Sequence, residues 1–182
     1  YDGSEAFLDP MCGSGTLAIE AAFIATRRAP GLKRAFACEQ WPSFAPKMKP
    51  LLDDVRKAAH AQLRPAPAPI IARDYDDEVL TALKRNVVTA GLSTTVRIEQ
   101  ADATTADAPE GVTPGLVCTN PPYGERLGTG GQKGMKSFFH KLGSNLKRWN
   151  GWRFSVLAGN EAFESAFGMR PASRQPLWNG AI

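Results

Sequence analysis

The chain has little cysteine and no long apolar run, and these two shortages exclude several classes of protein. Its three cysteines, Cys12, Cys38 and Cys118, are scattered without a Cys-x-x-Cys pair. That argues against a disulfide framework and predicts a reducing, cytoplasmic setting. No stretch is apolar for long enough to cross a membrane. The first residues show no basic region followed by an apolar segment, so no signal peptide is visible.

Metal ligands at useful spacing are also lacking. Neither His60 nor His140 stands in a zinc-ligand pattern with a cysteine, so we expect no metal. The net charge of +4 permits a nucleic-acid partner without requiring one. A length of 182 residues and a hydrophobic share of 43% fit one domain with a real core. Both ends look cut, so we interpret residues 1–182 as a single excised domain.

Apolar strands alternate with helical segments along the whole chain. The predicted strands are residues 6–9, 70–74, 96–100, 116–119 and 154–158. The predicted helices are residues 16–28, 51–63, 76–90, 136–149 and 161–167, with an irregular proline-rich insertion at 32–50. From Met169 onward the chain looks like the start of an antiparallel C-terminal hairpin that is cut short. The alternation predicts an α/β fold with a doubly wound, Rossmann-like, mostly parallel sheet.

A glycine-rich turn follows the first predicted strand. Gly13 and Gly15 lie where an open α/β sheet binds ligands, outside the carboxyl ends of its strands. Glycine lets the backbone approach a ligand closely. With Ala18 these residues match the loose dinucleotide fingerprint. The alternative is a tight strand-to-helix turn without a ligand, but the acidic residues nearby favour a nucleotide-like cofactor.

Three aspartates lie at the ends of the first three predicted strands or just after them. Asp9 stands directly before the glycines, where it suits the positively charged amino-acid end of S-adenosylmethionine and would repel a pyrophosphate. Asp74 is placed to accept both ribose hydroxyls, and Asp102 to accept the adenine amino group. Asp74 and Asp102 could instead be helix caps or solvated loop acids. Glu39 is an alternative candidate for binding the ribose hydroxyls. The pattern favours a methyl donor over a nicotinamide cofactor.

A second motif, Asn120, Pro121, Pro122 and Tyr123, follows the fourth predicted strand. An exocyclic amino group on a base is a poor nucleophile, because its lone pair is delocalised into the ring. The Asn120 side-chain oxygen and the Pro121 carbonyl can accept its two hydrogens and draw the nitrogen towards a tetrahedral shape. Pro122 stiffens the turn, and Tyr123 offers a ring for stacking. This combination predicts methylation of a nucleobase amino nitrogen.

The two motifs together resemble the class I methyltransferases that modify amino nitrogens. Residues 9–16 and 120–127 look most like the bacterial 23S ribosomal RNA guanine-N2 methyltransferases, whose catalytic domain follows a THUMP RNA-binding domain. The resemblance covers nearly the whole chain. It implies S-adenosyl-L-methionine as cofactor, with Cys12, Ser14 and Thr16 joining the glycines in binding it. It also implies RNA as partner, 23S rRNA in particular, and a THUMP domain in the full-length chain.

Other interpretations remain open. Asn-Pro-Pro-Tyr alone also fits an N6-adenine methyltransferase acting on DNA or RNA, and a non-catalytic binding module or a nicotinamide oxidoreductase are further alternatives. Cys118 could be a nucleophile, although core packing fits a buried strand better. The glycine-rich loop 124–134 is expected to be a mobile lid. One basic set either faces phosphates or forms a solvated helix face: Lys133, Lys136, Lys141, Lys147 and Arg148.

Overall fold

The computed structural model describes residues 1–122, 131–159 and 163–177. Its strands are β1 (Phe7–Asp9), β2 (Ile70–Asp74), β3 (Val96–Gln100), β4 (Leu116–Thr119) and β5 (Arg153–Val156). Its α-helices are α1 (Thr16–Thr26), α2 (Phe44–Lys47), α3 (Lys49–Ala61), α4 (Asp77–Ala90), α5 (Gly131–Leu146) and α6 (Phe163–Phe167), and Ala37–Gln40 is a 3-10 turn. Strands and helices alternate as the sequence predicts, except that β4 follows β3 without an intervening helix.

The five strands form one sheet in the order β3-β2-β1-β4-β5, and each pairs in parallel with its neighbours. β1 lies at the centre, with β2 on one side and β4 on the other. The chain winds outward from β1 to β3, and then returns to β4 on the other side of β1. The order therefore reverses between β1 and β4, and open α/β sheets bind ligands at such a point.

Alternate side chains of the strands supply two separate cores. On one face, Phe7 and Ile70 pack with the buried residues of α1 and α4. On the other face, Leu8 and Ile71 pack with α5 and α6. Both faces of the sheet are thus covered, which explains why the central strands are apolar on both sides.

Several predicted bounds are wrong. The predicted insertion at 32–50 contains the 3-10 turn, α2 and the start of α3. Pro50 lies in the first turn of α3, where a missing N–H costs no hydrogen bond. α1 ends at Thr26, because Arg27 adopts a left-handed conformation with φ of 52°.

The C-terminal expectations also change. Residues 131–134 of the predicted lid belong to α5, and the other lid residues lie outside the described ranges. The predicted antiparallel hairpin is not confirmed, since residues 168–177 form no strand. The five strands within the described ranges are all parallel.

Candidate functional site

Two turns leave the same edge of the sheet side by side. We call residues 10–15, which follow β1, the glycine turn, and residues 120–122, which follow β4, the proline turn. β1 and β4 are hydrogen-bonded neighbours in parallel register, with Leu8 opposite Val117. The two motifs, which are more than a hundred residues apart in sequence, are thus brought together by the pairing of β1 with β4.

The backbone of the glycine turn requires both of its glycines. Gly13 and Gly15 have φ of +53° and +94°, a region that other residues rarely adopt. A Cβ on Gly15 would come within 2.1 Å of Leu83 Cδ1 in α4. A Cβ on Gly13 would meet nothing within 4 Å, so that side of the turn is open. A ligand can therefore approach the Gly13 backbone.

The N-terminus of α1 also faces this edge. Its N-cap is Gly15, no side chain caps it, and its first turn holds no acidic residue. The first amides of a helix lack intrahelical partners and carry a partial positive charge. Thr16, the first residue of α1, is exposed there. This end of α1 suits a carboxylate such as that of an amino-acid group.

Asp74 ties the end of β2 to the glycine turn. It is only 8% exposed. Its Oδ2 accepts a hydrogen bond from Gly13 N at 3.0 Å, and its Oδ1 accepts one from Asp76 N at 3.2 Å. Cys12 N donates to Arg73 O at 2.8 Å in the same region. Each carboxylate oxygen of Asp74 still has a second lone pair, which leaves it able to accept from ribose hydroxyls.

Asp9 lies beneath the glycine turn rather than on the open edge. It is 2% exposed, and its Oδ1 accepts hydrogen bonds from Thr119 Oγ1 at 2.8 Å and from Met11 N at 3.2 Å. Burial raises the pKa of the Asp9 carboxyl to about 7. Because Thr119 directly precedes Asn120, this hydrogen bond fastens the glycine turn to the proline turn. Sequence reasoning missed Thr119.

A cleft of about 330 Å³ lies at the β2–β3 side of the same edge, and Asp102 lines it. Asp102 Oδ1 accepts from Thr104 N at 2.8 Å and from Thr104 Oγ1 at 2.7 Å. Tyr75, which is 67% exposed, brings a ring to the same cleft. A stacking ring beside a carboxylate suits a planar base with an amino group. The sequence signal for Tyr75 was its position directly after Asp74.

The remaining predicted cofactor residues have different surroundings. Cys12 is buried, and burial raises the pKa of its thiol. Ser14 is exposed, and its carbonyl accepts from Asn86 Nδ2 at 2.9 Å. Glu39, the rival for the ribose, instead pairs with Arg56 of α3 at 2.8 Å. Asp74 is therefore the acid that contacts the glycine turn.

In the proline turn, one amide side chain is exposed and the residue that follows it is buried. Asn120 is exposed, Pro121 is buried and Pro122 is half-buried. Tyr123 lies outside the described residues. Cys118 is half-buried against the core shared with α1 and α4, which fits the packing role.

A wider groove of about 520 Å³ lies between α1 and α3 and holds none of the predicted site residues. No group of three His, Cys, Asp or Glu side chains that could hold a metal ion occurs among residues 1–122, 131–159 and 163–177. In that same part of the chain, no helix combines the length and apolarity that a membrane crossing requires.

The sheet order, the glycine turn and the proline turn define a Rossmann-like methyltransferase domain. The chain belongs to the RMKL-like methyltransferase domain family, whose model matches residues 1–182. The predicted family, the parallel α/β fold and S-adenosylmethionine as cofactor are thereby confirmed.

Individual relatives agree with this assignment. Ribosomal RNA large subunit methyltransferase K/L of Vibrio campbellii is 36% identical over 188 residues, which cover 100% of this chain and 26% of that protein. The crystal structure of SMU.472, described as a putative methyltransferase complexed with SAH, matches with a TM-score of 0.86 and 31% identity over 100% of this chain and 46% of its own. A structure from Listeria monocytogenes, described as a predicted N6-adenine-specific DNA methylase, matches with a TM-score of 0.83 and 32% identity, covering 98% of this chain and 45% of that one.

The chain thus spans between about a quarter and a half of the length of these relatives. The THUMP domain and the one-domain boundary 1–182 stay predictions.

Proposed function

We propose that this domain transfers a methyl group from S-adenosylmethionine to an exocyclic amino nitrogen of a base in RNA, and that the base is a guanine of 23S rRNA methylated at N2. The observation that carries the proposal is the placement of the two turns on adjacent strands, joined by the Thr119–Asp9 hydrogen bond of 2.8 Å. A donor held by one turn and an acceptor held by the other would lie next to each other. Alignment of two bound reactants can supply a large part of a rate enhancement.

The residues of the glycine turn and its neighbours fit the methyl donor. The open side of Gly13 and the uncapped N-terminus of α1 suit its amino-acid end. Asp74 would hold the ribose, while Tyr75 and Asp102 would hold the adenine in the cleft. When bound, the donor supplies a methyl group on a positively charged sulfur. The buried Asp9 would add negative charge beneath the turn once it is ionised.

The proline turn would act on the acceptor base. The side-chain oxygen of Asn120 and the carbonyl oxygen of Pro121 would accept hydrogen bonds from the amino group and draw its lone pair out of the ring. Tyr123 would stack on the base. A base in folded RNA must leave its stack to reach such a turn. No strong general base is needed, because the nitrogen becomes acidic as it gains the methyl group, and water can take the proton.

Adenine N6 is the alternative acceptor. The Listeria relative described as an N6-adenine-specific DNA methylase supports it, since the same two acceptor oxygens can hold either amino group. The ribosomal RNA methyltransferase relative matches the whole of this chain and supports ribosomal RNA as the substrate. The choice of guanine rests on the resemblance of residues 9–16 and 120–127.

The proposal predicts that Asn120→Ala loses turnover and keeps the cofactor. The stabilisation that the Asn120 side chain provides grows in the transition state. The single-turnover rate on protein-free 23S rRNA should therefore fall by about 10²–10³-fold. Affinity for S-adenosylhomocysteine, measured by calorimetry, should stay unchanged. The matched control is Asn150→Ala, an exposed asparagine that lies before β5 at the opposite edge of the sheet. A wild-type rate in Asn120→Ala would remove the proposed mechanism.

A further inference from the structure

The second half of the chain contains a long segment without acidic residues. No Asp or Glu occurs between Glu125 and Glu161, and this stretch includes all of α5. Its cations are exposed where the structure describes them on the helix. Surface helices usually mix charges of both signs, because paired charges support each other. The charge pattern of α5 therefore differs from that of an ordinary solvated helix.

The cations of α5 and the turn after it share one side. At 3.6 residues per turn, Lys133, Lys136, His140 and Lys147 align, with Lys141 and Arg148 beside them. We call these six residues the basic face. From Lys133 to Lys147 the face extends about 21 Å at 1.5 Å per residue.

Packing fixes which side of α5 faces outward. Met135, Phe139, Leu142 and Leu146 are buried in the core. A Cβ on Gly143 would lie 1.9 Å from Phe167 O, so only glycine allows this contact with α6. The basic face lies on the other side and is held towards solvent.

The two other long surface helices have a different charge pattern. On α3, Lys49 pairs with Asp53 at 3.2 Å and Lys57 with Asp54 at 3.8 Å. On α4, acidic residues occupy the first turn. Within the described part of the chain, none of the four lysines of the basic face forms an ion pair, and Arg148 pairs with the exposed Asp107 at 3.3 Å. The four lysines of the basic face are thus positive charges without a compensating ion pair in the described part of the chain.

The basic face is continuous with the candidate site. Lys141 and Ser137 line the cleft together with Asp102 and Tyr75. The buried Asn145 of α5 donates to Ala103 O at 3.0 Å and to Ala106 O at 2.7 Å, and so holds the loop that follows Asp102 against the helix. An RNA strand lying along α5 would therefore pass the cleft at the edge of the sheet that carries the candidate site.

We propose that the basic face of α5 binds the sugar-phosphate backbone of the RNA strand whose base enters the site. This inference rests on the proposed function and names the surface that captures its substrate. Charge complementarity favours a polyanion. An anionic membrane is the weaker partner, because the apolar side of α5 is buried and cannot insert into lipid. Lysines along a helix bind phosphates without reading sequence, so the face would position RNA rather than select it.

The test compares two variants of equal charge change in the full-length protein. One replaces Lys133, Lys136 and Lys147 with glutamine and keeps Lys141, which lines the cleft. The matched control replaces three lysines elsewhere on the surface with glutamine: Lys47, Lys57 and Lys84. Fluorescence anisotropy with a single-stranded 23S rRNA fragment, from 50 to 200 mM salt, measures affinity and its salt dependence. Calorimetry with S-adenosylhomocysteine checks that each variant is folded and retains the cofactor site.

The basic-face variant should bind RNA at least about tenfold more weakly at low salt, with the slope of log K against log salt reduced by about 0.7 for each lost contact. The control should change little, and both variants should keep the cofactor. Wild-type affinity and slope in the basic-face variant, or an equal loss in the control, would overturn the inference. So would equal binding to phosphatidylserine vesicles.

The same samples separate this inference from the proposed function. Methyl transfer by the wild type, together with unchanged RNA binding by the basic-face variant, would overturn the inference and leave the proposed function standing. RNA binding that depends on the basic face, without any methyl transfer by the wild type, would support the face and contradict the proposed function. At saturating RNA, the basic-face variant should regain the wild-type rate.

Discussion

The glycine turn and the proline turn share one edge of the sheet but are held in different ways. The glycine turn is fixed by partners far away in sequence: Gly13 N donates to Asp74, and Asn86 donates to Ser14 O. The proline turn owes much of its stiffness to its own two prolines, and the hydroxyl of Thr119, directly before it, donates to Asp9.

This difference assigns separate consequences to changes in each turn. A change at Asp74 should weaken cofactor binding, and a change at Asn120 should slow methyl transfer to the acceptor. A change in the Asp9–Thr119 pair should affect both, because that pair joins the two turns. The predictions below test this division, and they run from the largest expected effect to the smallest.

The largest effect is expected in the pH dependence of stability. Burial raises the pKa of Asp9 from 3.8 to about 7. The folded state therefore holds this proton more tightly than the unfolded state. Its contribution to stability is complete below about pH 4 and is lost as the pH rises to about 7, a change of roughly 4 kcal/mol. Urea unfolding of the wild type and of Asp9→Asn at pH 4 and pH 8 measures most of this change.

Asp9→Asn should show the flatter profile, because it carries no proton to lose. Parallel pH profiles for the two proteins would mean that Asp9 titrates at its ordinary pKa, and the buried link between the turns would then be in doubt.

The second effect is on the cofactor alone. Asp74→Ala removes the acceptor of Gly13 N and the proposed acceptor of the ribose hydroxyls. Calorimetry should show S-adenosylhomocysteine binding weakened by about 1–3 kcal/mol, with RNA affinity unchanged. Asp77→Ala is the matched control, since Asp77 is exposed on α4 close by. Unchanged cofactor affinity in Asp74→Ala would contradict the ribose assignment.

The smallest effect should appear in both turns at once. Thr119→Val keeps the shape of a fully buried side chain and removes one donor to Asp9. Asp9 keeps its hydrogen bond from Met11 N. The lost free energy should therefore be about 1 kcal/mol, divided between cofactor affinity and the methyl-transfer rate. Thr119→Ser should restore both. Thr26→Val, a buried hydroxyl that bonds only to Ala22 O within α1, should change neither, and equal effects from both valines would indicate a general loss of stability.

The sequence predicts the strands better than the connections. β2, β3 and β4 have the predicted bounds, because short apolar runs between turn residues are strong strand signals. The predictions for residues 32–50 and for the first turn of α5 were wrong, because prolines and glycines were taken as loop signals where helices tolerate them.

Motif residues were found without their partners. Asp9 and Asp74 could be placed at strand ends. Their hydrogen bonds with Thr119 and Gly13 could not be predicted, since those contacts depend on which strands are neighbours. Asn145, which fixes the loop after Asp102 from α5, gave no signal of its own. Tyr75 could have been found, because an exposed aromatic directly after the acid of β2 lies at the ligand edge.

The most direct test of the central claim is the identity of the methylated nucleoside. Protein-free 23S rRNA is incubated with the full-length protein and isotopically labelled S-adenosylmethionine, digested to nucleosides, and analysed by chromatography and mass spectrometry. Asn120→Ala serves as the inactive control. The proposed function predicts labelled N2-methylguanosine with the wild type and a trace with the variant. Labelled N6-methyladenosine would contradict the guanine assignment, and label on a ring carbon or a ribose oxygen would contradict amino methylation itself.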